Sequence, residues 1–250
     1  MANIKNKVKD TTARNISAGA ARKTGGIEAY LKRIFAMMFG AVALTAVAAY
    51  LTIWGGGLQH LINFQTGGLS AAYYLLLFGG VALAIWAQVR VFSMKPSTAA
   101  LLLAIYAALV GITMTPMIAI ALAVNPASIL MAFIIAAIMF ACMAMFGYKT
   151  VKDLSFLGTF LFMGMIGLIL VGIASFIWPA IMGGAFGTIV CFIGVLVFAL
   201  FTAYDMQTLK RAYAVIGEGQ KDSLAVLGAL HLYISFIAMF QYVLSLLNRE

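Results

Sequence analysis

The sequence predicts an all-α polytopic membrane protein, a bundle of seven transmembrane helices. Of its 250 residues, 64% are hydrophobic and only 9% are charged, and the mean hydropathy is +1.07. A soluble domain has about 25% charged residues, so this composition excludes a soluble enzyme. The chain also contains a succession of apolar runs, each long enough to cross a hydrocarbon layer about 30 Å thick.

The apolar runs define the spans in chain order. Residues 97–147 contain no charged residue, which indicates two spans joined by a tight turn. We expect this turn at Asn125-Pro126, because proline disfavours the helical conformation in the residue before it. The last run, Ser223–Leu247, is less apolar and contains His231, so it either spans the membrane or is re-entrant. The four clearest spans are Ile34–Trp54, Ala71–Val89, Leu154–Trp178 and Ala185–Tyr204.

The basic residues predict the orientation of these helices. Lysine and arginine are concentrated in the cytoplasmic loops of membrane proteins. With seven crossings, 15 of the 16 basic residues fall on the side of the N-terminus, and only Arg249 falls on the other side. The N-terminus is therefore expected in the cytoplasm and the C-terminus outside it. A re-entrant last segment would return the C-terminus to the cytoplasm.

Residues 1–30 are predicted to form a flexible, basic cytoplasmic arm, followed by a seven-helix domain over residues 31–250. The first 33 residues contain eight basic and two acidic residues, and no sustained apolar face precedes Ile34. The arm lacks the interleaved aromatic residues typical of nucleic-acid binding. Because it leads directly into a span, contact with anionic lipid head groups is favoured. The expected partner is thus the lipid bilayer, with no nucleic acid.

Four polar residues near the cytoplasmic helix ends are candidates for a functional site. Ionisable residues are costly to place in a membrane and are therefore candidates for function. Asp205 lies at the end of the sixth span and Arg90 at the end of the second, while His231 and Ser235 are one helical turn apart in the last. Together they would form a proton-sensitive ion site. Structural roles are the alternative: Asp205 could pair with Lys210 or lipid head groups. His231 could bond a neighbouring helix, and Arg90 could snorkel.

The residue types argue against an enzyme. The last span has no lysine for a retinal Schiff base, and Ser235 lacks the glycine turn of an intramembrane serine protease. An aspartyl dyad needs two carboxylates that share a proton, and Asp205 has no such partner in the sequence. The chain contains no phosphate loop, HExxH motif or paired Cys/His set, so no cofactor is expected.

Glycine pairs give a weaker indication of where helices pack closely. The pairs at 79–80 and 183–184, and Gly164 with Gly167, would permit close approach of helices. Membrane helices also tolerate glycine in general, and we favour this simpler interpretation for any single one of them.

Three segments resemble a known family of membrane proteins. Residues 146–164, FGYKTVKDLSFLGTFLFMG, join the fourth and fifth spans. Residues 201–213, FTAYDMQTLKRAY, end the sixth span, and residues 230–240, LHLYISFIAMF, lie in the last. They resemble, in this order, the signature, the sixth-span ending and the last helix of the Bax inhibitor-1 family, also called the transmembrane Bax inhibitor motif family. The resemblance extends from about residue 30 to the end and is to the bacterial inner-membrane branch.

The resemblance implies a bundle of six helices around a central C-terminal helix, and the charge distribution places the C-terminus in the periplasm. It also implies a pH-sensitive calcium leak, in which two aspartates near the cytoplasmic mouth share a proton. Asp205 matches the first aspartate, but Ser235 stands at the position of the second. Arg90 is a candidate for the family's basic partner in the second helix. Because Ser235 adds no charge, we expect any leak to depend only weakly on pH.

A regulatory role is the alternative that the resemblance implies. Some bacterial relatives are thought to modulate a membrane-anchored ATP-dependent protease, which requires no ion conduction. The basic arm of residues 1–30 would then be the accessible handle for the protease. A chain that lacks one carboxylate of the pair is compatible with this role. The leak would depend on the bundle interior, whereas modulation would depend on the arm.

Overall fold

Seven long helices build the molecule. The structure is a computed structural model that describes residues 2–63 and 68–249, with side chains from residue 26 onward except at positions 176, 179 and 218. Each helix contains an apolar stretch long enough to cross a membrane, which confirms the seven spans expected from the sequence. The helices are α1 (Ala2–Trp54), α2 (Ala71–Arg90), α3 (Pro96–Val124), α4 (Ala127–Lys149), α5 (Ser155–Ile177), α6 (Gly184–Val215) and α7 (Lys221–Leu247).

The helix boundaries follow local sequence signals. The Asn125-Pro126 turn between α3 and α4 is confirmed. Ser70 caps α2, because its hydroxyl accepts a hydrogen bond from the backbone N–H of Tyr73 at 3.2 Å. Between α1 and α2 the structure contains a short helix, Leu58–Leu61, and two short paired strands, which the sequence did not predict. α7 is one continuous helix, as expected of a spanning segment.

The prediction of a flexible arm over residues 1–30 falls mostly on positions whose side chains lie outside the described residues. α1 itself runs from Ala2, and its apolar part begins at Gly26. Tyr30 and Leu31 are already buried, so α1 enters the bundle earlier than the apolar run from Ile34 indicated. The flexibility of the arm stays a prediction.

The last helix lies in the centre of the bundle, as the family resemblance implied. In its apolar stretch 78% of the residues are buried, against 6% in that of α5. α7 packs against α1, α3, α4 and α6 and against the 3-10 turn Val91–Ser93 that follows α2. α5 packs on α6, and α2 packs on α3. This surrounded position gives the polar residues of α7, such as His231, protein partners instead of lipid.

The segment between α4 and α5 is held against the end of α6. The Gln207 side chain accepts a hydrogen bond from the backbone N–H of Leu154 at 2.9 Å and donates one to the Lys152 carbonyl at 2.8 Å. Lys210 Nζ donates to the Tyr148 carbonyl at 2.9 Å. Two family-like segments, residues 146–164 and 201–213, are therefore bonded to each other.

An ion pair also holds the segment between α4 and α5 against α6. Asp153 Oδ1 lies 2.7 Å from Arg211 Nη1. Hydrogen bonds from the Ser155 hydroxyl and backbone N–H, with a smaller contribution from Arg211, lower the pKa of Asp153 to about 2. Because the pKa of Asp153 is lower in the folded protein than in the unfolded chain, its ionised form stabilises the fold above the unfolded pKa. This stabilisation is lost as the pH falls through about 2. Asp153 therefore stays ionised throughout the neutral and mildly acidic range.

We expect the Gln207→Leu substitution to release the α4–α5 connection. The buried N–H of Leu154 would lose its acceptor, which costs about 1–3 kcal/mol. Hydrogen exchange at that amide should accelerate at least about tenfold, since 1.4 kcal/mol corresponds to a factor of ten. The exposed neighbour provides the control, because Thr208→Leu should leave the rate unchanged. Equal exchange rates in both variants and the wild type would contradict the proposed connection.

Candidate functional site

Asp205 and His231 meet inside the bundle at the same depth. Asp205 lies ten residues before the end of α6, and His231 lies ten residues after the start of α7. Both are therefore about 15 Å from the segment that joins the two helices. Asp205 Oδ1 is 3.8 Å from His231 Nδ1, and the two side chains are 12% and 35% exposed. This distance permits electrostatic attraction but is too long for a hydrogen bond.

We expected Arg90 to be the residue of α2 at the site, but it is Gln88 that contacts His231. The Gln88 side-chain oxygen lies 3.1 Å from His231 Nε2, so the imidazole bridges an amide on one side and a carboxylate on the other. Arg90 is exposed at the end of α2, and within the described chain no ion pair joins it to Asp205. The structure thus brings together three helices through Asp205, His231 and Gln88.

Ser235 lies deeper along the same face of α7. It is one helical turn beyond His231 and is 3% exposed. Among the residues that the structure describes, no hydrogen bond joins Ser235 to Asp205. Its hydroxyl supplies a hydrogen-bonding group but no charge.

A buried hydrogen-bonded cluster lies on the opposite side of α7 from His231 and connects α1, α3 and α7. Thr45 Oγ1 is 2.6 Å from the Tyr233 hydroxyl and 3.0 Å from the Ala107 carbonyl. Thr45 and Tyr233 are 4% and 0% exposed. The Tyr106 ring packs edge-on against Tyr233, with the ring centroids 5.9 Å apart. These contacts hold Tyr106 and Tyr233 in place, and both line a cavity between α2, α3 and α7.

Three cavities follow one another along α2, α3 and α7. The end cavity, about 690 Å³, opens at the end of the bundle opposite the basic loops and is lined in part by Thr113 and Arg249. The middle cavity, about 170 Å³, shares Thr113 and is also lined by Gly80, Tyr106 and Tyr233. The narrow cavity shares Tyr106 and holds only about 10 Å³, barely the space of one water.

The narrow cavity ends beside the candidate site. Its lining includes Ala87 and Leu230, the immediate neighbours in sequence of Gln88 and His231. The row of cavities therefore extends from one end of the bundle to the parts of α2 and α7 that carry Gln88 and His231. At the narrow cavity it is closed by apolar side chains, including Leu103 and Val226.

The donor set of the site is small. Within the described part of the chain, no group of three or more His, Cys, Asp or Glu side chains is placed to hold a metal ion. Calcium in a resident site takes six to eight oxygen ligands, more than one carboxylate and one amide supply. The described side chains of the site therefore supply fewer oxygen donors than a resident calcium site contains.

Sequence reasoning missed Gln88, Thr45 and Tyr233. It searched the spans for ionisable side chains, and none of these three is charged at neutral pH. A detectable signal existed for Gln88, because a side-chain amide inside an apolar span needs hydrogen-bond partners there. For Thr45 and Tyr233 the sequence contains no comparable signal, since both residue types are common in membrane helices.

Comparison with known proteins identifies the family. Residues 27–250 match the family model described as inhibitor of apoptosis-promoting Bax1. A protein of Caulobacter vibrioides is 34% identical, over 95% of this chain and 97% of that protein. Inner membrane protein YbhL of Escherichia coli K12 is 31% identical, over 90% and 93%. A protein of Rickettsia prowazekii is 32% identical, over 90% and 91%. The chain therefore belongs to the Bax inhibitor-1 family of membrane proteins.

Proposed function

We propose that the protein is a cation leak of a bacterial inner membrane, with calcium as the transported ion, and that the structure represents its closed state. The N-terminus lies in the cytoplasm and the C-terminus in the periplasm, as the distribution of basic residues predicts. The inner-membrane location is supported by the similarity to the E. coli protein. The row of three cavities carries the proposal, because its narrow end is lined by Ala87 and Leu230, the sequence neighbours of Gln88 and His231.

The carboxylate of Asp205 supports selection for cations. It lies within the spanning part of α6, about 15 Å from the helix end, where an ionisable side chain is costly unless it serves a function. A fixed negative charge at the cytoplasmic mouth of a pathway attracts cations and repels anions. His231 lies beside Asp205, so protonation of the imidazole would reduce this attraction.

The apolar narrow cavity supports a closed state. Ions do not cross an apolar constriction that is too small to hold water. Opening would require α2 and α7 to separate where Ala87 and Leu230 line that cavity. The hydrogen bond between Gln88 and His231 joins these two helices at this position, so its loss would favour opening.

Blocking the middle cavity tests the pathway directly. Gly80 lines this cavity, and a Cβ atom added there meets no atom within 4 Å. Gly80→Leu therefore extends into the middle cavity from a position whose Cβ has room, and calcium flux into liposomes should fall about tenfold or more, as expected for a dewetted constriction. Gly79 is the matched control, since it is exposed, equally free of neighbours and outside the described lining of the cavities.

The outcomes of this experiment are distinguishable. Flux that falls in Gly80→Leu but not in Gly79→Leu supports the pathway. Flux in the wild type that both variants retain would place conduction elsewhere in the bundle. If the wild type conducts no calcium, the leak is wrong, and modulation of a membrane-anchored protease through residues 1–30 becomes the better hypothesis.

A further inference from the structure

A groove opens sideways from the bundle towards the membrane and shares no described lining residue with the row of cavities. α1 and α4 form its two walls, through residues that include Leu31 and Phe39 on one side and Ala137 and Tyr148 on the other. Met206 of α6 and Phe236 of α7 also line it. All lining residues are apolar or aromatic, and the cavity volume is about 410 Å³.

The volume fits one lipid acyl chain. An apolar cavity of about 150 Å³ holds a benzene ring, so by proportion about 410 Å³ has room for roughly 16 carbons. The volume of the groove is too small to hold a whole helix, because a helix with its side chains is about 10–12 Å in diameter.

The length of the groove agrees with the same occupant. The lining residues extend from Leu31 to Phe39 on α1 and from Ala137 to Tyr148 on α4. At a rise of 1.5 Å per residue these segments span about 12 and 16 Å. Half of a hydrocarbon core is about 15 Å thick, so the groove extends over one leaflet, from the basic end of the bundle to its middle.

A positive charge lies at the basic end of this groove. Lys210 Nζ is 4.8 Å from the centre of the Tyr148 ring and donates to the Tyr148 carbonyl at 2.9 Å. That bond uses one of the three N–H donors of the ammonium group. Lys149, the next residue on α4, is exposed at the same end. Apolar walls with cations at the head-group level are complementary to an anionic phospholipid.

We propose that the groove between α1 and α4 binds one anionic phospholipid of the cytoplasmic leaflet, with an acyl chain along Phe39 and Ala137 and the phosphate at Lys210. The bound chain covers Met206 and Phe236, which are the neighbours in sequence of Asp205 and Ser235. The lipid is therefore a structural ligand of the two helices that carry the candidate site. This assignment is independent of whether the protein conducts ions.

Native mass spectrometry of the full-length protein in detergent tests the assignment, with phosphatidylglycerol and phosphatidylcholine as probes. We expect one phosphatidylglycerol per chain, bound about fivefold tighter than phosphatidylcholine, as one basic residue near the head group supports. Ala141 lines the groove and the exposed Cys142 follows it outside the described lining. Ala141→Leu should abolish the tight binding, whereas Cys142→Leu should retain it.

Two further variants keep the result interpretable. Met145 lines the groove and is 51% exposed, so Met145→Phe narrows the groove even if Ala141→Leu fails to fold. Lys210→Gln should reduce the preference for phosphatidylglycerol to near one. Equal binding of both lipids by the wild type, or tight binding that survives both groove-filling variants, would overturn the proposal. So would a dimer that Ala141→Leu abolishes, because a second copy would then cover the groove.

Discussion

Substitution of Gly147 by leucine is expected to prevent the bundle from folding. At Gly147 the backbone of α4 contacts the backbone of α6, and an added Cβ atom would lie 2.7 Å from the Cα of Ala203. Backbone atoms cannot move aside as a flexible side chain does, so the two helices would have to separate. We expect Gly147→Ala alone to lower the free energy of unfolding by about 2–3 kcal/mol, a large part of the 5–15 kcal/mol typical of a protein.

The measurement is the fraction of monodisperse protein after detergent extraction, together with its thermal midpoint. Gly167 on α5 is the matched control, because it is exposed and an added Cβ meets no atom within 4 Å. Gly167→Ala and Gly167→Leu should behave like the wild type. If Gly147→Leu were as monodisperse and as stable as Gly167→Leu, the close approach of α4 and α6 would be wrong.

A second carboxylate at position 235 is expected to create a steep dependence of calcium flux on pH. Ser235 lies one turn from His231 on the buried side of α7, on the side of the helix that faces Asp205. Repulsion between two neighbouring carboxylates makes one of them bind a proton at a higher pH than a lone carboxylate does. In Ser235→Asp we therefore expect flux to fall about tenfold between pH 8 and pH 6, by this coupling.

The wild type and Asp205→Asn complete this series. Wild-type flux should change less than about threefold over the same range, because His231 is the titratable partner of Asp205 and no second carboxylate forms a described contact with it. Asp205→Asn should remove the remaining response and lower the flux. Liposome flux against pH for the three proteins is the measurement. A steep response in the wild type that survives Asp205→Asn would contradict the role of the carboxylate.

Ionisable groups outside the site should not contribute to this pH response. Asp153 keeps its charge, since its pKa is held at about 2 by hydrogen bonds from Ser155 and by Arg211. His60 lies in the α1–α2 connection, at the end opposite the candidate site, and His60→Gln should leave the pH profile unchanged. His231→Gln should flatten the weak wild-type profile.

Much of the fold was predictable because membrane spans obey a simple length rule. The charge-free stretch 97–147 predicted α3 and α4, and Asn125-Pro126 predicted the turn between them. The glycines show the limit of such reasoning. Gly79, Gly80 and Gly167 meet no atom within 4 Å of an added Cβ, whereas Gly147 lies against Ala203. The sequence alone does not reveal which glycine faces a helix and which faces lipid.

The candidate site was predictable only where charge was involved. Asp205 and His231 were identified because ionisable side chains are rare in spans, and the structure brings them together. Arg90 was expected to join them, but α2 ends with Arg90 exposed while Gln88 reaches His231. The rotation of a helix about its axis decides which of two neighbouring residues points inward. That rotation depends on packing against other helices, which a single sequence does not specify.

The central position of α7 has a consequence for how the protein is made. A helix is inserted by the translocon more readily when its side chains suit lipid, yet α7 is surrounded by protein and contains His231, Ser235 and Gln241. It is also the last of the seven helices to be synthesised. The other six helices are therefore synthesised before the helix that they surround. We expect α7 to leave the translocon as its polar residues find partners in the bundle, so that membrane insertion and tertiary assembly are coupled for this helix.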